Sequence, residues 1–179
     1  KEQLRRNDDG SYLTKLPWIP SHPDLKDNSA GALARLNTLI RKLKKTPALL
    51  DEYHNIIQLQ LKEGILEPAP VTPTGEHIHY MPHRAVIKES AETTKIRIVG
   101  DMSASPGNNL PSLNDCLHVG PPLQPHIQHI LMRNRLKPIA LLGDINQAFL
   151  QIWVDERDRD ALRLYWVDDL SKFEPISLG

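Results

Sequence analysis

Apolar residues recur every three or four positions in the stretch that follows Asn28, which predicts an amphipathic helix. Its apolar positions are Leu33, Leu36, Ile40 and Leu43. The other face of the predicted helix is basic, with Arg35, Arg41, Lys42, Lys44 and Lys45. Asn28 or Ser29 can accept a hydrogen bond from the first free backbone N–H groups, so we expect the helix to begin there.

A second helix of the same kind is predicted directly afterwards. Thr46 suits the capping position, and Pro47 suits the first helical position because its missing N–H is not needed there. Gly64 favours the end of this helix, since glycine adopts the left-handed conformation at little cost. The predicted apolar stripe consists of Leu50, Tyr53, Ile57 and Leu61.

Short strands are predicted beyond Pro68. The stretches "AVIK" and "KIRIVG", joined by the polar loop "ESAETT", predict a β-hairpin. Residues 101–122 carry glycines and prolines that indicate loops, and Pro125 can start a helix that runs to about Arg135.

The last part of the chain predicts two further strands. The apolar run from Ile139 to Leu142 predicts a buried strand that ends at Asp144, followed by a short helical turn. A later stretch, "ALRLYWV", predicts another strand. Residues 1–28 show no sustained period, so we interpret them as an extended arm.

Composition narrows the class of protein but does not identify a partner. The 22 lysines and arginines balance the 22 aspartates and glutamates, so global charge gives no argument for nucleic acid. One cysteine, Cys116, can form neither an internal disulfide nor a cysteine cluster for zinc, which favours a reducing compartment. No signal peptide and no long apolar run is present, so we expect an intracellular protein without a membrane partner. The missing initiator methionine leads us to expect a piece of a longer protein.

Asp144 is the first candidate for chemistry. A carboxylate at the end of a strand, beside the N–H groups of a turn, can bind Mg²⁺ and phosphate together. The alternative is an ordinary helix cap, because aspartate is common between a strand and a helix.

Neighbouring motifs favour the first interpretation. The stretch "DINQAFLQI" resembles the first catalytic motif of reverse transcriptases. The stretches "YMPHRAVIK", "TTKIRIVGDMSAS", "SLNDCL" and "DRDALRLYW", in this order, are similar to the polyprotein of BEL/Pao-type LTR retrotransposons. The resemblance extends from about Leu16 to at least Trp166.

The resemblance implies an α+β right-hand polymerase fold, of which this chain holds the fingers and the first part of the palm. Four segments follow from it: residues 1–28 as arm or linker, 29–67 as the helical entry to the fingers, 68–137 as the fingers, and 138–179 as the incomplete start of the palm.

The same resemblance assigns roles around the first catalytic motif. Asp144 would bind the catalytic pair of Mg²⁺ ions, and Ile145 would offer its backbone carbonyl to a metal. Phe149 would act as a steric gate against a 2′-OH, although a plain core aromatic remains an alternative for it. The N–H groups that would line the triphosphate belong to Asn146, Gln147 and Ala148.

Further nucleotide contacts are implied in the fingers hairpin. Arg97 fits the arginine whose guanidinium spans phosphate oxygens and stacks over the incoming base. Lys95 and Lys88 are candidates for phosphate and template contacts, with solvated lysines of an exposed hairpin as the alternative. Asp101 matches the aspartate that closes this motif, while Gly100 stands where relatives usually have an aromatic residue.

Three other polar clusters have simpler interpretations. Asp168 and Asp169 in "YWVDDL" lie too close to the first motif to be the YxDD box, so we expect a polar turn. His77 and His79 would share one face of a strand, with His83 nearby, but no convincing further metal ligand is adjacent. The run "DERDRD" is expected to be a solvated helix or turn face.

The leading hypothesis is part of an RNA-directed DNA polymerase that extends a primer on an RNA or DNA template with deoxynucleoside triphosphates. The family resemblance implies a protease upstream and the remaining palm, RNase H and integrase downstream, in the cytoplasm or in retroelement particles. With one of three expected carboxylates, the chain alone should be inactive. The alternatives are a non-catalytic nucleic-acid-binding remnant and a small metal hydrolase.

Overall fold

The computed structural model of the protein describes residues 4–87, 96–136, 138–145, 148–172 and 175–179. Within these ranges the fold is a mixture of four α-helices and three small β-sheets. The helices are α1 (Ser29–Leu43), α2 (Pro47–Lys62), α3 (Ile127–Asn134) and α4 (Glu156–Arg159). Short 3₁₀ helices span Asn114–Cys116, Ala148–Gln151 and Asp160–Leu162.

The strands form three separate sheets. They are β1 (Leu4–Arg6), β2 (Tyr12–Thr14), β3 (His83–Ile87), β4 (Ile96–Gly100), β5 (Ile152–Val154), β6 (Leu164–Val167) and β7 (Pro175–Leu178). In the first sheet, β2 pairs antiparallel with β1 and parallel with β5. The second sheet is the antiparallel pair β3 and β4, and the third is the antiparallel pair β6 and β7.

The two predicted N-terminal helices are confirmed. Helix α2 begins at Pro47 behind Thr46, and Gly64 beyond its end has a φ of +72°. Asn28 precedes α1 in the left-handed conformation, but its side chain donates to the carbonyl of Tyr80 instead of capping the helix. The start of α1 is therefore held by a tertiary contact.

The apolar stripes of α1 and α2 form one side of the hydrophobic core. Trp166 of β6, Ile96 of β4 and Leu178 of β7 pack against them, and all three are essentially inaccessible to solvent. From α1 and α2 the buried residues include Leu36, Ile40, Leu43, Leu50, Tyr53 and Ile57. This core positions the β3–β4 hairpin on the helical layer.

The predicted hairpin is confirmed as β3 and β4, in the register that pairs His83 with Gly100 and Ile87 with Ile96. Its connecting loop lies outside the described residues. Alternate positions of the strands face the core, as a two-stranded sheet on a helical layer requires.

The predicted buried strand from Ile139 to Leu142 is wrong. These residues have no regular secondary structure, and the exposed fractions of Ile139, Leu141 and Leu142 are 76%, 93% and 97%. The apolar run thus lacks any partner surface within the described part of the chain, and an isolated strand has no stability of its own. Helix α3 occurs as predicted, and none of its residues is buried.

The N-terminal arm is more ordered than its sequence indicates. Strands β1 and β2 form a hairpin, and β2 also joins β5. The strands have three residues each, too few for a detectable alternating pattern. Among the described residues, no helix combines the length and apolar character that crossing a membrane requires.

Candidate nucleic-acid interface

The outer face of the β3–β4 hairpin carries two arginines. Arg84 pairs with Val99 across the strands, and Val86 pairs with Arg97. Because directly paired residues point to the same side, all four side chains share one face, with the two arginines diagonal to each other and their Cα atoms about 7–8 Å apart. All four are exposed, the two valines at 37% and 38%.

This face, which we call the arginine face (Arg84, Val86, Arg97 and Val99), combines charge with apolar surface. A guanidinium group binds phosphate oxygens through two parallel hydrogen bonds and can also stack on a base. Valine methyl groups between the two charges offer apolar contact to a sugar or base. Within the described ranges, neither arginine has a carboxylate partner.

Sequence analysis identified Arg97 but missed Arg84. The hairpin register is the signal that would have identified Arg84. When "HRAVI" is paired with "IRIVG", the alternation of side chains places Arg84 and Arg97 on the same side of the hairpin. Periodicity of each strand alone does not reveal this, because the pairing partner decides which residues become neighbours.

Asp101 faces α1 and not the arginine face. Its Oδ2 atom accepts a hydrogen bond from Nη1 of Arg35, at 2.5 Å, and its backbone N–H donates to the carbonyl of Pro82. The contact to Arg35 ties the end of β4 to the basic face of α1. Within the described residues, Asp101 thus has a structural role, in which it connects β4 to α1.

Asp144 and Ile145 lie in an exposed segment without regular structure, and the side chain of Ile145 is 73% exposed. Ala148 begins the 3₁₀ helix Ala148–Gln151, in agreement with the predicted helical turn. Asn146 and Gln147 lie outside the described residues, so capping by Asp144 stays an open alternative. Lys88, Lys95 and the side chain of Phe149 are outside them as well.

A cleft of about 760 Å³ lies between the hairpin and the segment 150–154. The inner face of the hairpin contributes Ile98 and His83, and the opposite wall includes Leu150 and Trp153. Of the residues that the structure describes, neither Asp144 nor Arg97 lines it.

The magnesium site implied by the resemblance is not complete in the described residues. No group of three or more His, Cys, Asp or Glu side chains is arranged there to hold a metal ion. The exposed carboxylate of Asp144 can supply one hard oxygen ligand, and a two-metal centre requires further carboxylates.

The expected placement of His77 and His79 on one face of a strand is wrong. Residues 77–79 are not in a strand, and each histidine has different neighbours. His83 is buried between α2 and β6, where it hydrogen-bonds Tyr53 Oη at 2.5 Å and the carbonyl of Tyr165 at 2.8 Å. The second bond requires a proton on Nε2, so Nδ1 accepts from the tyrosine.

Burial controls the protonation of two of these histidines. Desolvation lowers the pKa of His83, against an opposing effect of its bond to Tyr165. The pKa of His79 is also lowered by desolvation, although its Nδ1 bonds the carbonyl of Lys26. Both are therefore neutral structural groups near neutral pH. His77 instead contacts Trp18 and His22 of the arm.

The acidic and basic run "DERDRD" is not a solvated face. Asp158 is buried and accepts bonds from the backbone of Leu16 and the indole of Trp18. Asp160 accepts from the N–H groups of Thr74 and Gly75 and from the guanidinium of Arg163. Apart from Arg163, these partners are distant in sequence, so the charge pattern alone could not predict the burial of Asp158 and Asp160.

Asp168 and Asp169 lie in the turn between β6 and β7, as predicted. Oδ1 of Asp169 accepts from the N–H and the hydroxyl of Ser171, and the pKa of this carboxyl is lowered first by the hydroxyl bond. These two bonds stabilise the turn and explain the carboxylate of Asp169 as a structural group.

Comparison with known proteins identifies no relative of this chain. No protein-family model matches it, and neither a curated protein nor a solved structure does.

Proposed function

We propose that this chain is part of an RNA-directed DNA polymerase and that the arginine face contacts the phosphates of a nucleotide or template-primer. One observation carries the proposal: two exposed guanidinium groups share one face of the hairpin with two exposed valines. The order of the motifs, which resembles that of a reverse transcriptase, supplies the reaction class.

The two arginines suit this role for physical reasons. They lie on one face of the hairpin with their Cα atoms about 7–8 Å apart, so both long side chains can reach phosphates of one nucleic-acid backbone. The hairpin is anchored through Ile96 in the core and through the bond between Arg35 and Asp101. The face is thereby held on a rigid support, which reduces the entropy lost on binding.

Polymerisation requires more than this face. In the intact enzyme, Mg²⁺ ions would neutralise charge on the triphosphate, with Asp144 as one of their ligands. The residues of this chain would bind phosphate and orient the nucleotide. Because the resemblance accounts for only one of the three expected catalytic carboxylates, Asp144, we expect no primer extension by this chain alone.

A non-catalytic nucleic-acid-binding remnant is the second candidate. It is favoured by the exposed, irregular segment around Asp144, which lacks the strand that would hold a catalytic carboxylate. Both candidates predict binding through the arginine face. They differ in whether a deoxynucleoside triphosphate joins the complex.

The binding role can be tested by fluorescence anisotropy with a labelled RNA–DNA primer-template at several salt concentrations. Replacing both Arg84 and Arg97 with glutamine should weaken binding and reduce the salt slope by about 2, because two phosphate contacts are lost. The matched control is Arg5→Gln, an exposed arginine on strand β1. An unchanged slope in the double variant would refute the proposed face.

The reaction class needs a second measurement. We expect the Mg²⁺ complex of the complementary deoxynucleoside triphosphate to tighten primer-template binding, and Arg97→Gln to abolish this effect. A remnant would bind primer-template equally well with and without the nucleotide. That outcome would reject the polymerase assignment and leave the binding face intact.

A further inference from the structure

The arm and the segment ahead of β3 bring two histidines together. The Nε2 atoms of His22 and His77 are 3.1 Å apart, although 55 positions separate the residues in sequence. Both side chains are half-buried. Neither histidine belongs to the arginine face or to the segment at Asp144, so neither proposed function uses the contact.

Both imidazole rings are held in place by neighbouring groups. Nδ1 of His22 bonds the carbonyl of Pro23 at 2.8 Å, which requires a proton on Nδ1 and leaves the lone pair of a neutral ring on Nε2. The ring of His77 stacks on Trp18, with ring centroids 4.0 Å apart. A hydrogen bond from the second ring nitrogen to a carbonyl is the usual way in which a ligating histidine is oriented.

The distance between the two nitrogens also fits a shared cation. With metal–nitrogen bonds of about 2.0–2.1 Å and ligand angles between octahedral and tetrahedral values, two ligands lie roughly 2.9–3.4 Å apart. The observed 3.1 Å falls within this range. An ordinary hydrogen bond has the same length, so the distance permits both states and experiment must separate them.

The carboxylate nearest to His22 in sequence, that of Asp24 two residues away, forms an ion pair with Lys26 and is not counted as a ligand. In the described chain no third protein ligand completes the pair, so water would fill the remaining positions.

We propose that His22 and His77 form a two-histidine site for a divalent transition-metal ion such as Zn²⁺, Ni²⁺ or Cu²⁺. Each ring donates its Nε2 lone pair. His77 takes the tautomer with its proton on Nδ1, so two neutral rings bind the ion without net proton release. The bound ion joins the N-terminal arm to the segment ahead of β3.

Titration of the purified chain with Ni²⁺ alone, followed by isothermal calorimetry in a non-chelating buffer, tests the site. We expect one ion per chain and at least about tenfold weaker binding for His22→Gln and for His77→Gln. The matched control is the double variant His126→Gln/His129→Gln, which removes another neighbouring pair of histidines, with ring centroids 5.6 Å apart at the start of α3. Equal weakening in the control, or none in the two variants, would overturn the proposal.

If the histidine variants fail to fold, a second measurement on the unmutated chain still tests the site. Cu²⁺ should quench the fluorescence of Trp18, because its ring stacks on a ligand, and the paramagnetic resonance spectrum should show coupling to two imidazole nitrogens. Trp18→Phe should remove the quenching while Cu²⁺ still binds. A spectrum with one nitrogen or none would reject the shared site.

Discussion

The indole N–H of Trp18 donates a hydrogen bond of 2.8 Å to Oδ1 of Asp158, across 140 positions of sequence. The other carboxylate oxygen accepts the backbone N–H of Leu16, also at 2.8 Å. With only 7% of Asp158 exposed, this one side chain satisfies two donors that fasten the arm to helix α4.

Replacing Asp158 with asparagine should loosen the arm. The amide can accept one of the two bonds, but its NH₂ group then faces the other donor, which leaves a buried N–H unsatisfied at a cost of about 1–3 kcal/mol. Urea denaturation should give a lower free energy of unfolding for this variant than for the unmutated protein. Limited proteolysis should cut the arm of the variant faster. Asp51→Asn on the exposed face of α2 is the control and should stay within about 0.5 kcal/mol. Equal stability of the two variants would contradict this role for Asp158.

Replacing the buried Arg163 with methionine should be among the most destabilising substitutions. Arg163 is 0% exposed, and its guanidinium bonds Asp160, Tyr80, Ser177 and the carbonyl of Pro70. Removing it leaves an uncompensated carboxylate and other unpaired groups, so we expect a loss of about 3–5 kcal/mol in the free energy of unfolding.

Two further variants distinguish the ion pair from simple packing. Arg163→Lys keeps the charge but not the fork of donors, so it should recover less than half of the lost stability. Adding Asp160→Asn to Arg163→Met should cost less than the sum of the single variants. Additive costs measured by chemical denaturation would show that the pair does not act as a unit.

Stability should fall as the pH drops below about 6.5, the ordinary pKa of histidine. Burial holds the pKa of both His83 and His79 below this value in the folded state, so the unfolded chain binds more protons. The stability contribution of the neutral rings is complete above the unfolded pKa and is lost as the pH falls towards the folded pKa values.

The free energy of unfolding, measured from pH 7.5 to pH 5, checks this dependence. His83→Gln should lower stability at every pH but flatten the slope, whereas His126→Gln, an exposed substitution, should leave the slope unchanged. A slope equal to that of the unmutated protein in His83→Gln would remove His83 as a cause.

Gly100 and Met81 should be energetically coupled. A Cβ atom added at Gly100 would lie 2.5 Å from Sδ and 2.7 Å from Cε of Met81, so Gly100→Ala requires this side chain to move. Because these atoms are the far end of a flexible side chain, we expect a cost of at most about 1 kcal/mol, the low end of the range for added bulk. In a Met81→Ala background the same change should be neutral or stabilising by about 0.5–1 kcal/mol, because glycine weakens a strand.

A double-mutant cycle measures this coupling in the free energy of unfolding. We expect an interaction energy of at least about 0.5 kcal/mol between the two positions, and independent effects would contradict it. The contact also explains the glycine, because Met81 already occupies the space that a side chain at position 100 would fill.

Local patterns predicted the elements whose stability is largely local. Thr46, Pro47 and Gly64 mark the ends of α2 through their own backbone preferences, and the spacing of Leu50, Tyr53 and Ile57 predicts its buried side. The β3–β4 hairpin and the turn at Asp168 follow from similar short-range signals. The sequence by itself therefore determined two helices, one hairpin and the two apolar stripes that form much of the core.

Only the tertiary structure decided which polar residues are buried and which groups they bind. Asp158, Arg163 and His77 have partners many positions away, and nothing in their local sequence distinguishes them from solvated groups. The apolar run from Ile139 to Leu142 shows the opposite case, since its composition predicts burial but no described surface covers it. Periodicity reports how a segment could be buried, whereas burial itself depends on which other surface lies against it.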